Sequence, residues 1–366
     1  MAASHTDLQI RSPYSLTPNS VFLPAEAYTS PEFYDAEMRS VFPSSWFLAA
    51  DLAYLAEPGD FVTKMIGYEP VLIVRDDDNE LHAFANICPH RGTVIMKGSG
   101  NCESRMVCPY HGWSYNPDGT LRAIPNQRGF DDRFDRDEMR LRPLRFDIWE
   151  RFVFVNVDGS APPLLDYLEA APSLLAGHGI SALSPTVSID DTIDVNWKVF
   201  VDNALDDYHI PIVHADTLQP FHEGMEFRED IGDRYVSVLV APMNDYGRSI
   251  FPDREGMGEE QSQVTYAIDV FPNVTILAFP DGGITTLQLL PLAIDKTAVE
   301  LRSYSHRPDD IGPEEEKFSI DFLTEDYRVM HRVQQALRSR HFQPGPAHYR
   351  EGRTAAFHRS LLTVMG

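Results

Sequence analysis

Cys88-Pro89-His90-Arg91-Gly92 and Cys108-Pro109-Tyr110-His111-Gly112-Trp113 form the pattern C-x-H-x17-C-x2-H, which decides how the first half of the chain is read. Each half offers one thiolate and one imidazole from a short loop bounded by glycine. Glycine permits the tight backbone that turns amide N–H groups toward sulfur. Two Cys/His pairs, each at ligand spacing, favour a shared metal centre over chance packing. Around them, β-rich runs at Phe61–Ile66, Val71–Val74, Leu81–Asn86 and Phe152–Val157 are separated by turn signals at Pro58-Gly59-Asp60, Asp76–Asn79 and Asn116–Gly119. This spacing predicts a small all-β domain. Upstream, Phe33, Met38, Val41 and Phe42 recur at helical spacing after a Ser30-Pro31 start.

Two chemistries suit the ligand set. A structural zinc takes Cys2His2 ligation; a Rieske [2Fe–2S] centre places two cysteines on one iron and two histidines on the other. C-x-H-R-G with C-x2-H-G-W resembles the Rieske motif of ring-hydroxylating oxygenases. The resemblance implies that Cys88 and Cys108 hold one iron and His90 and His111 the other. Such a centre carries single electrons and, with its protein positions filled, does not itself activate oxygen. Cys102 matches no ligand position.

The second half reads as α+β. A helical stripe of Trp197, Phe200, Val201, Ala204 and Leu205 extends toward Val213. Strands are expected at Tyr235–Ala241, Val264–Val270, Val274–Phe279, Thr285–Leu290 and Ala298–Tyr304. A last helix from Gly312-Pro313 to about Ser339 has Phe318, Phe322, Val329, Val333 and Leu337 as its apolar face. Several strands before a long helix suggest an antiparallel sheet curled around it. A further helix is expected at Leu164–Leu175, and the tail after Arg340 reads as surface or subunit contact.

This half carries Asn196-Trp197-Lys198, then Asp202-Asn203-Ala204-Leu205-Asp206-Asp207-Tyr208-His209, then His214. Histidines five apart lie about 140° from each other on an ideal helix, so a break is needed to aim both at one point, and Pro211 is positioned to supply it. Two histidines with one carboxylate make the facial triad of non-haem Fe(II) oxygenases. The segment resembles the mononuclear-iron motif of Rieske oxygenase α subunits, and both motifs stand in that family's order across nearly the whole chain.

The resemblance implies a small all-β Rieske domain joined to a helix-grip catalytic domain. It divides the chain into an N-terminal helical segment (1–45), the Rieske domain (46–158) and the catalytic domain (159–366). It places the third iron ligand at Asp326, eight residues before Gln334, with Glu325 as the alternative. It makes Asp206 a bridge from His209 to His111 of another subunit and puts Asn203 close to the iron; the adjacent Asp207 is an alternative acceptor, though it points about 100° away on a regular helix. The expected function is the terminal oxygenase of a multicomponent system, hydroxylating or oxidatively demethylating a small organic substrate with O2. Aromatic cis-dihydroxylation and a simple Rieske electron carrier are the alternatives. The expected assembly is a homotrimer or a multiple of it.

Composition narrows partners and compartment. The 366 residues carry a net charge of −24, which argues against nucleic-acid and anionic-membrane partners. No apolar run approaches a bilayer span, residues 1–20 lack secretory-signal features, and three cysteines suit a reducing cytoplasm. No G-x-G-x-x-G fingerprint follows a strand. NAD(P)H is therefore expected to act only through a separate reductase, with or without a ferredoxin, that docks near Arg91 and Lys97. Tyr246, Phe251 and Phe271 are aromatic candidates for the substrate pocket, with core packing as the alternative for each.

Overall fold

The computed structural model describes residues 22–131, 133–222, 227–231, 234–310 and 312–366. The reading of residues 1–20 lies outside that range. Pro31–Ser44 is helical, capped by Ser30, whose hydroxyl accepts the Phe33 N–H at 3.2 Å. Its buried side presents Phe33, Met38, Val41 and Phe42, with Glu37 among them.

The cysteine-bearing half is all β and antiparallel. One sheet runs in the order Leu81–Ala85, Glu69–Arg75, Asp60–Ile66, Ser99–Asn101. A second comprises Met106–Val107, Ser114–Tyr115 and Leu121–Ala123; a third, Phe47–Asp51, Phe152–Asn156 and Arg145–Trp149. Cys88 and Cys108 are buried in an apolar cluster with Phe61, Leu72, Phe84 and Tyr115.

The other half is built on a seven-stranded antiparallel sheet. Its order is Ser184–Ile193, Lys296–Ser305, Ile284–Ala293, Val274–Ala278, Val264–Val270, Val236–Pro242, Arg228–Ile231. The two strands that pattern reading does not find, Ser184–Ile193 and Arg228–Ile231, are its two edges. An edge strand buries less on both faces and keeps polar residues such as Asp190 and Asp191, so apolar alternation is weak there.

Three expectations need correction. Leu164–Leu175 is not one helix but two single turns, Leu164–Tyr167 and Ala171–Leu174. Glu169 between them has a left-handed φ of +49°, and Pro172 opens the second turn. The Pro313–Leu337 helix exists, but its buried stripe is Ser319, Leu323, Asp326, Met330, Gln334 and Leu337, while Val333 is exposed. Polar residues turn inward because they have partners: Gln334 Oε1 accepts the Asn196 N–H at 2.8 Å.

The tail after Arg340 is not merely surface. Gly352–Met365 is a helix that buries Arg353, Phe357, His358 and Leu361. Phe357 meets Trp197 edge-on at 5.8 Å, and Arg353 pairs with Asp269 at 2.5 Å.

The N-W-K run is a structural anchor. Asn196 caps the Trp197–Leu205 helix by accepting the Lys198 N–H at 3.0 Å. Trp197 Nε1 donates to Glu37 Oε2 at 3.1 Å, and Lys198 Nζ reaches Glu37 Oε1 at 2.6 Å, both charges wholly buried. Burial pushes the Glu37 carboxyl up against the pull of Lys198, and pushes the Lys198 amine down against the pull of Glu37. This pair fastens the helix leading to His209 onto the N-terminal helix.

Candidate metal centres

The two Cys/His loops share one backbone design. Cys88 N–H donates to Thr93 O and Cys108 N–H to Trp113 O, at 2.8 and 2.7 Å. Gly92 and Gly112 then donate back to the carbonyls of Cys88 and Cys108, at 2.9 and 3.1 Å. Both glycines have φ +73°, a conformation that side chains disfavour. The thiols face inward and the imidazoles outward: Cys88 and Cys108 are buried, His90 is half-buried and His111 exposed.

The two rings sit 4.7 Å apart, and His90 stacks on Trp113 at 4.6 Å. Burial is the main cause pushing the Cys88 thiol up, and Tyr115 Oη lies 3.1 Å from its sulfur. Among the described residues, the one set of three or more ligand atoms gathered closely enough for a single ion lies elsewhere. Two buried thiols on one side and two outward imidazoles on the other suit a two-iron cluster with sulfur on one iron and nitrogen on the other. Arg91 and Lys97 are exposed, and the Arg91 guanidinium lies 5.2 Å from the Tyr110 ring centre.

The second set is His209, His214 and Asp326, whose ligand atoms all lie within 4.8 Å of one another. The helix that begins at Trp197 stops at Leu205, and Asp206 is extended, with φ −96° and ψ 127°. A new turn, Ile210–Val213, then begins with Pro211 in its first positions. The break falls before the first histidine, and Pro211 starts the next turn instead of ending the previous helix, as suits a residue with no N–H to give. His209 and His214 consequently flank a single helical turn and converge.

Asp326 reaches them from the Pro313–Leu337 helix. Its Oδ1 lies 3.0 Å from His214 Nε2 and 3.6 Å from His209 Nε2, yet is buried with no hydrogen bond among the described residues. A carboxylate oxygen poised between two imidazole nitrogens suits a cation better than a proton, and the N2O donor set suits Fe(II). Burial opposes the His209 cation, but Asp206 and Asp326 outweigh it and hold it up at about 9. Burial likewise opposes ionised Asp326, but the two imidazoles draw it down to about 2. The site favours added positive charge, and a divalent ion would release protons on binding.

The Nδ1 edges of both rings meet carboxylates. Asp206 Oδ2 lies 3.3 Å from His209 Nδ1. The two residues are neighbours across the helix break, not along a helix. Glu325 Oε2 lies 2.8 Å from His214 Nδ1 and accepts the Thr217 hydroxyl at 2.6 Å. Glu325 thus stands behind a histidine, with Asp326 at the convergence point. Thr217 carries no motif and is not identifiable from the sequence.

Asp207 turns away to Arg350 at 2.8 Å. Asn203 has a buried Nδ2 with no hydrogen-bond partner among the described residues. Phe271 packs on Phe357 at 5.7 Å, away from Tyr246 and Phe251, because its strand end faces the C-terminal helix. Tyr246 and Phe251 instead flank Phe221, at 5.6 and 6.0 Å.

Two metal sites of such different character, one lined by sulfur and nitrogen and one by nitrogen and oxygen, define a Rieske-type non-haem iron oxygenase. The chain belongs to the ring-hydroxylating α-subunit family. The family's catalytic-domain model matches residues 178–366, more than half of the chain, and the Rieske [2Fe-2S] domain model matches residues 45–137. Its cofactors are accordingly a Rieske cluster and a mononuclear iron, and the family works with a small-molecule substrate, O2 and a reductase.

The carnitine monooxygenase oxygenase subunit of Acinetobacter pittii is 34% identical over 206 residues, 54% of each chain. In that alignment the chain spans about half of the relative's length. The subunit of the same name from Escherichia coli K12 is 29% identical over 331 residues, covering 88% of this chain and 85% of the relative. The crystal structure of the quaternary ammonium Rieske monooxygenase CntA with an inhibitor has the same fold, with a TM-score of 0.81 at 24% identity, over 96% of this chain and 98% of that one. Among the described residues, no helix is long and apolar enough to cross a membrane.

Proposed function

We propose that this chain oxygenates a C–H bond beside the nitrogen of a small quaternary ammonium compound. The observation that carries this reading is an aromatic wall beginning at the iron-ligand set. Phe322 lies 5.1 Å from the His214 ring; one turn earlier on the same helix, Phe318 meets Phe221 at 5.7 Å, and Phe221 continues to Tyr246 and Phe251. None of these five is fully buried, and Tyr246 is 55% exposed. Core aromatics would be covered; partly open rings beside a metal site suit a tetraalkylammonium, which offers no hydrogen-bond donors and is held by aromatic faces. The substrates named for the relatives point the same way.

In this reading Cys88, Cys108, His90 and His111 hold the cluster, and His209, His214 and Asp326 hold the iron. When bound, the cluster supplies single electrons and the iron activates dioxygen. The aromatic wall positions the substrate and excludes water. Asp206 orients His209 and, in a homotrimer or a multiple of it, links it to His111 of a neighbouring subunit. Within one chain Asp206 meets the Tyr208 N–H and His209, and neither Rieske-loop histidine. We read residues 1–45, 46–158 and 159–366 as the helical segment, Rieske domain and catalytic domain of a cytoplasmic enzyme.

Hydroxylation next to a quaternary nitrogen gives an α-hydroxy ammonium. This collapses to a carbonyl compound, a tertiary amine and a proton. Attack on a methyl group releases formaldehyde; attack on a methylene of the longer substituent releases trimethylamine. The protein, supplied with a reductase and NADH, is to be assayed for both products on trimethylammonium compounds, and for cis-diols on aromatic hydrocarbons. The expected result is formaldehyde or trimethylamine matching O2 uptake; cis-diol formation with neither product overturns the reading.

A further inference from the structure

We propose that Glu325, held by Thr217, is the positioning residue that fixes His214 as a metal ligand. This rests on His209, His214 and Asp326 binding the iron. Glu325 and Asp326 are consecutive on one helix, so their side chains leave it about 100° apart. Both meet the same imidazole: Asp326 Oδ1 lies 3.0 Å from Nε2 and Glu325 Oε2 lies 2.8 Å from Nδ1. One helix therefore grips the ring at both edges.

His214 donates its Nδ1–H to Glu325, which leaves the Nε2 lone pair for the metal and raises its basicity. Thr217 donates to the same Oε2 at 2.6 Å, so that oxygen is already engaged by two groups on the side away from Asp326. Glu325 is thus a supporting acceptor and not a fourth ligand.

The two histidines are held unequally. The Asp206 contact to His209 is longer, at 3.3 Å, and comes from the extended break beside it. The Glu325 contact is shorter, and it spans 111 residues to a 25-residue helix. His214 is accordingly the fixed ligand, while His209 is tied to the acid we assign to communication between subunits.

The test uses protein that keeps its cluster after the mononuclear site has been stripped by chelation. Co(II) and Fe(II) are titrated anaerobically, and the iron form is examined as its nitric oxide adduct by electron paramagnetic resonance. Glu325→Gln is expected to weaken metal binding about 10- to 100-fold and to change the rhombicity of the adduct, with the visible spectrum of the cluster unchanged. Thr217→Val, close in shape and mild for folding, should shift both readouts in the same direction by less. Wild-type affinity and an unaltered adduct in both variants overturn the proposal. Absence of stoichiometric Co(II) binding in the wild type, or wild-type binding in His214→Ala, would instead sink the ligand assignment itself.

Discussion

The two metal sites differ in how the chain assembles them. The Cys/His cradle takes its ligands from two loops with starts twenty residues apart, each closed by the same pair of backbone hydrogen bonds. The His/His/Asp site takes two ligands from either side of one helical turn and the third from a helix more than a hundred residues later. A site built locally depends on loop geometry; a site built across the fold depends on whatever holds distant elements in register. Here that support includes the buried Glu37–Lys198 pair and the Gln334–Asn196 hydrogen bond, both at the start of the helix leading to His209.

The largest separation of the two sites is expected from Asp326→Ala. Among the described residues its Oδ1 has no partner other than the facing imidazoles, so its loss should weaken mononuclear metal binding by more than about 100-fold, exceeding the usual effect of a supporting residue. The visible Rieske spectrum should persist, and metal analysis with absorbance on one sample decides this. Bleaching of the cluster in the same variant would show the sites to be interdependent.

Asp206→Ala should act between the sites instead of on either. Both metal signals are expected to survive while coupled turnover falls to background; substantial product formation would remove Asp206 from the electron route. The third effect falls on stability and not on either site. Glu37→Ala leaves Lys198 buried without its counter-charge, at an expected cost of about 3–5 kcal/mol. Denaturant unfolding followed by tryptophan fluorescence measures it, since Trp197 also loses its acceptor. A loss below about 1 kcal/mol would mean that the helix is held chiefly by its apolar contacts.

Legibility in the sequence followed the same division. Cys88, His90, Cys108, His111, His209 and His214 stand in short motifs whose residue types and spacing already carry the chemistry. Asp326 was reached only through resemblance, because a carboxylate on a charged helix carries no local sign of facing inward. The apolar face expected for that helix holds only in part for this reason: Leu337 is buried, but the inward stripe also includes Ser319, Asp326 and Gln334, while Val333 is exposed. The edge strands Ser184–Ile193 and Arg228–Ile231 escaped because one-sided pairing weakens apolar alternation. The C-terminal helix escaped because Arg353 and His358 look like surface residues until Asp269 and Asp202 are placed opposite them.

Residue order by itself determined the metal chemistry of each motif, the run of central strands and the presence of a long helix near the end. Only the tertiary structure decided that Asp326 faces the histidines while Glu325 stands behind one of them, and that Asp207 turns away to Arg350. It also decided that Phe322 meets the His214 ring and that Phe318 meets Phe221. Neighbouring carboxylates on one helix are chemically alike, and what distinguishes them is the group that packing sets against each, fixed by contacts more than a hundred residues away along the chain.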